Sequence, residues 1–450
     1  MRLSRPALNL RRAASKITLL LVASSIAHPA AADVSQSAAT DRFAFSVQST
    51  YVEQETLGFR APYSGPNSLS PNEGKETVDI TLFAGARLWP GAELWINLEG
   101  DQGFGLDDTL GVAGFPSGEA YKIGRNQPYF RLPRAFVRHT IDLGASSELV
   151  EGGPNQFAGD RSPDRLVLTA GKLSVVDIFD TNEYAHDPRN DFLNWSVLDA
   201  GSFDYAADAW GYTVGLAAEW YQGAWTLRAG AFDLSNVPNS AHLDPGFHEF
   251  QMVAELERRY QLFGRSGRVL VTGFDSRGRM GLLDSAVSLA QATASPVDIT
   301  AVRSYRTRLG ASVGLEQQIR SDVGMFARVG KAAGNVETYE FTDIDRTVAA
   351  GLSLKGSRWR RPHDTVGIAA VRNGISAARE RYLNAGGLGV LVGDGKLPHP
   401  GAEQILETYY DFSPFRWLQL TADYQHISNP AYNRDRGPVS VVGVRVHVQL

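Results

Sequence analysis

Apolar and polar residues alternate over many short stretches of this chain, and that alternation restricts its fold more than any other feature. Near the C-terminus, Val442, Val444 and Val446 are separated by Gly443 and Arg445, and the pattern continues to the last residue. A repeat of two residues gives a β-strand with one apolar and one polar face. Further stretches of this kind begin near residues 43, 78, 94, 212, 250 and 305. The pattern predicts an all-β protein.

The connections between these strands alternate between tight turns and long loops. Tight turns are predicted at residues 89–91, 221–223, 320–322 and 413–415. Long loops are predicted near residues 58–75, 101–130, 175–207, 234–246, 276–302, 332–344, 373–400 and 427–438. Between them the chain has room for about sixteen strands, with every long loop at the same end. The connection at 142–164 is longer than this count expects.

Short turns at one end and long loops at the other are typical of an outer-membrane β-barrel. We therefore predict a transmembrane antiparallel β-barrel of about 16 strands, with short periplasmic turns and long extracellular loops. Its apolar faces would meet lipid and its polar faces a watery lumen. A soluble β-sandwich or solenoid would also alternate. Polar faces rich in Arg, Glu and Gly, together with the one-sided loops, favour the barrel.

Residues 1–32 have the features of a cleaved secretory signal peptide. Basic residues precede an apolar run from Ile17 to Ala27, and three alanines at 30–32 provide a cleavage site. Cleavage would remove five positive charges and no negative ones, taking the formal net charge from −5 to −10. Residues 33–450 are predicted to form a single barrel domain in the outer membrane of a Gram-negative bacterium.

The composition argues against several other classes of protein. Because the chain has no cysteine, thiol chemistry and lipoprotein anchoring are excluded. After residue 32 no apolar run approaches the roughly 20 residues of a membrane helix. An acidic mature chain makes nucleic acid an unsuitable partner. Neither a cofactor nor a metal ion is predicted, because the nine histidines are scattered and the calcium-loop signature is absent.

Two settings supply candidate substrate-binding or pore-lining residues. Arginine outnumbers lysine 37 to 7, and guanidinium groups on lumen faces can bind hydroxyls or stack on a sugar ring. The stretch at 176–210 is rich in acids, amides and aromatic rings and is long enough to fold into the barrel mouth. The candidates are Arg87, Glu99, Asp177, Asp180, Asn182, Asp187, Trp195, Arg228, Arg306, Arg308, Glu316, Arg328 and Arg445. Alternatively, these charges only pair across the barrel and keep the lumen hydrated.

Enzyme motifs have little support. The run from Gly310 to Gly314 matches the G-x-S-x-G pattern of a nucleophile elbow, but it lies inside a predicted strand with no following helix. The chain is therefore predicted not to be an enzyme. A barrel-borne or secreted hydrolase is the remaining alternative, because two carboxylates can flank a glycosidic bond. No sequence spacing identifies such a pair.

Four longer runs resemble a known family. They are PYSGPNSL at 62–69, the runs at 101–124 and 169–212, and NPAYNRDRGPVSVVGVRVH at 429–447. These runs resemble the carbohydrate-selective porins of the OprB type. The resemblance implies a sixteen-stranded outer-membrane barrel for passive diffusion of sugars, with glucose-type monosaccharides as the usual substrates. It also implies membrane lipid and the barrel-insertion machinery as partners, and it leaves a homo-oligomer open.

Two points qualify what the resemblance implies. A general or anion-preferring porin is the alternative to a sugar path, because the many arginines could select phosphate or organic acids. Barrels of this type usually end in Phe or Trp, a signal for insertion, whereas this chain ends in Leu450. Leucine keeps the apolar, outward-facing character of that position.

Overall fold

The computed structural model describes residues 41–450, and for Lys122 and Ile123 it describes the backbone alone. This part of the chain forms a closed antiparallel barrel of sixteen strands and a separate two-stranded sheet. The predicted all-β barrel and its number of strands are therefore confirmed. The predicted signal peptide at residues 1–32 lies outside the described residues.

The strands are numbered in chain order. They are β1 (Phe43–Thr56), β2 (Gly74–Trp89), β3 (Ala92–Gly103), β4 (Arg125–Asp142), β5 (Glu148–Val150), β6 (Gly159–Arg161), β7 (Arg165–Leu173), β8 (Thr213–Gln222), β9 (Trp225–Asp233), β10 (Phe250–Leu262), β11 (Arg265–Met280), β12 (Ser304–Arg320), β13 (Val323–Ala332), β14 (Arg346–Lys355), β15 (Thr365–Gly374), β16 (Glu403–Phe415), β17 (Leu418–Ser428) and β18 (Val439–Gln449). Strands β5 and β6 pair with each other, and the rest form the barrel wall.

Short α-helices lie in the connections between strands. They are α1 (Gly118–Ile123), α2 (Trp195–Leu198), α3 (Leu283–Thr293) and α4 (Ala377–Asn384). None of the helices within residues 41–450 has the length and apolar character needed to cross a membrane.

Strands β12 and β18 show how the alternation divides the wall into two faces. In β18, Val444 is 45% exposed and points outward, whereas Arg445 and His447 are buried in the interior. In β12, Leu309 is 58% exposed and its neighbour Arg308 is fully buried. The outward faces are apolar, as contact with lipid requires, and the inward faces carry the charged and amide groups.

The barrel closes where the first strand pairs with the last. Thr50 of β1 lies opposite His447 of β18, and the two strands pair over most of their length. At the end of this ladder, Val47 and Leu450 exchange two backbone hydrogen bonds of 3.0 and 2.8 Å. Closure leaves neither strand with a free edge along this seam.

The periplasmic turns are mostly short. Strand pairs β2–β3 and β12–β13 reverse direction at residues 90–91 and 321–322, within the predicted turns. Strands β8 and β9 reverse at 223–224, one residue beyond the predicted 221–223. The predicted turn at 413–415 is wrong, because β16 continues to Phe415 and the chain reverses at 416–417. The ladder is irregular between Phe412 and Phe415. A bulge there accommodates Pro414, which has no N–H to donate to a regular ladder.

The connection between β4 and β7, residues 143–164, is the long exception among the periplasmic turns. It contains the hairpin of β5 and β6. The residues between these two strands turn back into the barrel, where Phe157 is fully buried. The excess length that the sequence shows at this point therefore corresponds to an additional structural element.

The longest extracellular connection also folds inward. The chain leaves the wall after Leu173 and returns at Thr213, which pairs with Leu173. Residues 174–212 between them, here called the lumen loop, lie inside the barrel, and Phe179 and Phe192 are fully buried. Because little of this loop is regular secondary structure, its buried backbone groups need hydrogen-bond partners elsewhere.

Candidate functional site

Carboxylates of the barrel wall accept hydrogen bonds from the backbone of the lumen loop. Glu255 Oε2 accepts from the Asp180 N–H at 2.8 Å, and Glu316 Oε1 accepts from the Glu183 N–H at 2.9 Å. Glu407 accepts from two consecutive amides further along the loop. A buried N–H without a partner costs about 1–3 kcal/mol. The wall acids therefore stabilise the inward conformation of the loop.

Wall arginines bind the carbonyl groups of the same loop. Arg328 donates to the carbonyl oxygens of Val197 at 2.8 Å, Ala185 at 3.0 Å and Asp180 at 3.3 Å. Arg445 donates to two more loop carbonyls, both at 2.7 Å. A guanidinium has five donors in a fixed plane, so one side chain can satisfy several carbonyls at once. Acids and arginines of the wall thus replace water around the loop backbone.

Asp204 joins the lumen loop to the extracellular segment at 333–345. Its carboxylate accepts from the N–H of Tyr339 at 2.8 Å and of Phe341 at 3.2 Å, and the two neighbouring amides also point to it. Arg308 Nη1 lies 3.1 Å from Asp204 Oδ2, and both side chains are fully buried. This cluster fixes two loops relative to each other and to β12.

A short helix positions Trp195 inside the lumen. Helix α2 begins after Asn194, whose Oδ1 accepts from the Ser196 N–H at 3.1 Å and caps the helix. Asn194 Nδ2 also donates to the Gly114 carbonyl at 2.8 Å. The cap therefore ties the start of the helix to the connection between β3 and β4.

Aromatic rings from three connections pack together around Trp195. Phe115 stacks on Trp195 with ring centres 5.2 Å apart and on Tyr121 at 5.1 Å. Phe341 packs edge-on against Trp195 at 5.4 Å and against Tyr205 at 4.6 Å. These five residues are called the aromatic cluster. Ring pairs at such distances add about 0.5–1.5 kcal/mol each to the burial of their area.

A cavity of about 340 Å³ lies on the periplasmic side of the lumen loop and is called the lumen cavity. Trp195 lines it from the loop, and Gln449 lines it from the periplasmic end of β18. Arg134 and Asp177 form an ion pair at its wall through two hydrogen bonds of 2.7 and 2.6 Å. Further titratable lining residues are His186, Asp187, Arg189 and Asp199. Charges of both signs therefore face one small space.

A second cavity of about 290 Å³ lies among the extracellular loops and is called the outer cavity. Arg303 and Glu337 line it and form an ion pair of 2.6 Å. Asn239 also lines it, and its Oδ1 accepts from the Tyr121 hydroxyl at 3.0 Å. Asn239 therefore links the outer cavity to Tyr121 of the aromatic cluster, and Trp195 of the same cluster lines the lumen cavity.

A family model described as carbohydrate-selective porin, OprB family, matches residues 67–450. The chain belongs to this family. The high-pH structure of OprB from Pseudomonas putida is similar to this porin with a TM-score of 0.68 and 15% identity, over 91% of this chain and 94% of that chain. The DcaP channel of Acinetobacter baumannii gives a TM-score of 0.47 and 12% identity, over 91% and 97%. No curated protein sequence matches the chain.

The family and the fold are those of an outer-membrane channel for carbohydrates and not of an enzyme. The predictions of a porin of the OprB family and of an outer-membrane barrel are confirmed. The G-x-S-x-G run of this porin lies within β12, where it forms part of the wall ladder.

Five of the predicted site residues line cavities of the porin. Asp177, Asp187 and Trp195 line the lumen cavity. Glu316 lines a cavity of about 550 Å³ next to β10 and β11, and Arg87 lines one of about 300 Å³ at the turn between β2 and β3. These five side chains therefore border open space within the described part of the chain.

The other predicted site residues bind protein atoms and line none of the cavities described above. They are Glu99, Asp180, Asn182, Arg228, Arg306, Arg308, Arg328 and Arg445. Arg228, for example, lies 2.7 Å from Glu255 and 3.0 Å from Glu257. For Arg308, Arg328 and Arg445 the physical reason is the inward loop, whose buried backbone and acids take up their donors. Arg228 and Arg306 instead bind groups of the wall itself. These eight residues fit the alternative given in the sequence analysis, in which the charged side chains only pair with one another across the barrel.

Sequence reasoning did not single out Arg189 or Arg134. Arg189 lies 3.0 Å from Asp79 and 2.9 Å from Glu119, and it lines the lumen cavity. It is the one arginine in the acid-rich stretch at 176–210, a signal that could have identified it. Arg134 could not be placed by alternation, because the pairing of β3 with β4 is irregular near it and shifts the facing of the residues beyond.

Asp187 keeps a negative charge at the lumen cavity. Burial favours the protonated form, but the Arg189 guanidinium and the Arg189 N–H, at 3.0 Å from Asp187 Oδ1, outweigh it. The pKa of Asp187 is therefore held below its ordinary value. The carboxylate is ionised at neutral pH and can accept hydrogen bonds from hydroxyl groups.

Three extracellular segments meet at Asp435, outside the membrane-spanning strands. Its carboxylate lies 3.0 Å from His399 Nδ1 and accepts from the Tyr63 hydroxyl at 2.9 Å. The hydrogen bonds with His399 and Tyr63 lower the pKa of Asp435. They therefore stabilise this contact between the three extracellular segments above the ordinary Asp pKa of about 3.9, and the contribution is lost as the pH falls through the lowered pKa.

Acidification well below the ordinary Asp pKa of about 3.9 is expected to loosen this contact and to increase current fluctuations of the open channel modestly, because the groups are solvent-accessible. The open-channel current of Asp435→Asn should fluctuate at neutral pH as much as the current of the wild type does in acid. Bilayer recordings across this pH range measure the effect. Asp322→Asn removes a carboxylate paired with Arg358 at the periplasmic end and should keep the wild-type response. A wild-type trace that stays unchanged in acid would contradict the prediction.

Proposed function

We propose that this porin lets glucose-type monosaccharides diffuse passively into the periplasm through the lumen cavity. The observation that carries the proposal is the combination of the Trp195 ring with charged groups of both signs around about 340 Å³. Binding sites for small molecules have volumes of about 300–1,000 Å³. The lumen cavity therefore suits a monosaccharide better than a long oligosaccharide.

The aromatic cluster supports a continuous route for the sugar. A monosaccharide would enter the outer cavity, where Arg303 and Glu337 can exchange hydrogen bonds with its hydroxyls. It would then pass along the faces of Tyr121 and Phe341 to Trp195. The rings touch each other, so each passage requires them to part. Binding on this route must stay weak, because a site that holds its solute tightly would block flux.

The charges of the lumen cavity favour a neutral solute. Asp177, Asp187 and Asp199 are balanced in part by Arg134 and Arg189, so the lining offers both donors and acceptors. A strongly anion-preferring porin would need a surplus of positive groups at this point. The mixed lining therefore supports the sugar path over the anion path.

Single-channel conductance of the refolded protein, titrated with glucose, tests the proposed function. Glucose is expected to block the current steps saturably, with half-block at about 1 mM or above because binding is weak. Under a salt gradient, the reversal potential should show only slight ion selectivity. Steps that are indifferent to glucose but strongly anion-selective would replace the sugar path with an anion path.

A variant at the ring identifies where glucose binds. Trp195→Phe should keep much of the packing and raise the half-block concentration several-fold, because a smaller ring offers less area to the sugar. Trp225→Phe is the matched control, since Trp225 is 45% exposed on the outside of the barrel. Equal half-block concentrations of glucose in both variants would show that Trp195 is not part of the glucose path.

A further inference from the structure

Part of the periplasmic connection between β4 and β7 enters the barrel. These residues, 153–158, are called the inner plug, and within them Phe157 is fully buried. The Phe157 ring packs against Trp95 with centres 5.0 Å apart, and the Arg87 guanidinium lies 4.4 Å from its centre. Trp95 and Arg87 are on the inward faces of β3 and β2. The plug is therefore fixed to the lumen wall.

Hydrogen bonds hold the backbone of the inner plug. Arg87 Nη2 donates to the Ala158 carbonyl at 2.6 Å, and Arg138 Nη2 donates to the Asn155 carbonyl at 2.5 Å. Arg138 also lies 2.9 Å from Glu93, which is 2% exposed. Charge-assisted bonds of this kind, which are partly buried, order a segment. The plug is thus a built part of the lumen and not a loose periplasmic loop.

The inner plug separates cavities on its two sides. Pro154 and Asn155 line the lumen cavity. Gln156, the next residue, lines a cavity of about 110 Å³ together with Arg161 and Tyr221 near the periplasmic end. The plug therefore lies between the lumen cavity and the space at the periplasmic end near Arg161 and Tyr221.

We propose that the inner plug is a second restriction of the channel, on the periplasmic side, and that Asn155 is a specificity-determining residue within it. The restriction applies to any solute, whereas the role of Asn155 in selecting a polyhydroxylated solute rests on the proposed function. Asn155 has a positive φ of 57° and turns the chain at the cavity. Its Oδ1 has no hydrogen-bond partner among residues 41–450, so no bond to this oxygen fixes the amide in place.

Conductance tests the restriction directly. In one variant Asn-Gly replaces residues 143–164, because this pair makes a two-residue hairpin turn like those elsewhere on the periplasmic rim. The inner plug and the aromatic cluster would restrict the current in series, so removal of the plug should raise single-channel conductance, by roughly twofold for two equal resistances. Folding is checked by the heat-dependent shift of the barrel on a gel.

A second variant keeps the chain length, in case the shortened chain does not fold. Phe157→Ala removes the ring that anchors the inner plug and should also raise the conductance, with more current noise. Leu149→Ala is the matched control, because Leu149 belongs to the same connection and is 73% exposed. Wild-type conductance in folded Phe157→Ala would overturn the restriction.

The role of Asn155 is tested with Asn155→Gly, which removes the amide and tolerates the positive φ. The half-block concentration of glucose is expected to rise about threefold, the effect of one neutral hydrogen bond, while conductance changes little. Asn72→Gly is the control, since Asn72 has a φ of 59° and is exposed outside the lumen. Unchanged block in Asn155→Gly would overturn its role. A wild type without glucose block would overturn the proposed function together with that role, and the conductance comparison would still decide the restriction.

Discussion

Arg328→Ala is expected to release the lumen loop and to give a wider, less selective channel. The guanidinium is 1% exposed, donates to the carbonyls of Val197 and Ala185, and lies 3.5 Å from the Asp180 carboxylate. Loss of one member of a buried ion pair costs about 3–5 kcal/mol. A local loss of about 3 kcal/mol raises the open population of the loop by about 150-fold. Conductance and hydrogen exchange of the loop amides measure this change.

Two further variants sharpen the Arg328 experiment. Arg328→Lys keeps the charge but replaces the planar fork by a point donor, so an intermediate exchange rate is expected. Arg320→Ala removes an exposed arginine at the periplasmic end of the neighbouring strand β12 and should behave as wild type. Loop amides that stay protected in Arg328→Ala would show that the wall acids alone hold the loop.

Asp204→Ala is expected to have the largest effect on stability. It would leave Arg308 buried, with Asp345 at 3.8 Å as its remaining carboxylate within ion-pair distance. It would also leave the amides of Tyr339 and Phe341 without their acceptor. Removal of one partner of a buried ion pair costs about 3–5 kcal/mol. Urea unfolding of the barrel in lipid vesicles, followed by tryptophan fluorescence, measures the loss of free energy of unfolding.

A double substitution separates the cost of the unpaired Arg308 charge from the cost of the lost backbone hydrogen bonds. Asp204→Ala combined with Arg308→Met removes both charges, so it should be less destabilised than Asp204→Ala alone. Asp160→Ala, at an exposed position in β6, should stay within about 0.5 kcal/mol of the wild type. If the double variant were as unstable as the sum of the two single variants, the ion pair would not be the source of the effect.

The fold could be predicted because the sequence of a barrel strand by itself shows which side chains point to the lipid and which point to the lumen. In β18 each inward Arg or His is flanked by outward Val, and no contact with another strand is needed to read this pattern. The turn near Pro414 was misplaced because proline usually ends a strand, whereas here a bulge keeps it within β16. The excess length at 142–164 was visible in the sequence, but its position inside the barrel was not.

The candidate site could be predicted only in part. Alternation gives the direction of a side chain and says nothing about its partner. Arg308 and Arg328 face the interior, as predicted, but their partners Asp204 and Val197 are 104 and 131 residues away in sequence. The lumen loop was recognised as unusual from its composition. Which of its acids bind the wall and which remain at the cavity depends on how the loop folds.

The hydrogen bonds between wall and loops also set an order of events in assembly. Consecutive wall strands pair with each other, so only the seam between β1 and β18 joins distant parts of the wall. The lumen contacts are far less local, since Gln425 binds Pro116 across 309 residues and Glu403 binds Gly114 across 289. Bringing such distant groups together is entropically costly until the strands that carry them are in place. Pairing of consecutive wall strands therefore precedes the binding of the loops in the interior. A newly inserted barrel therefore passes through a stage in which it is a wide, unselective channel. It becomes selective for solutes only after the loops have bound to the wall.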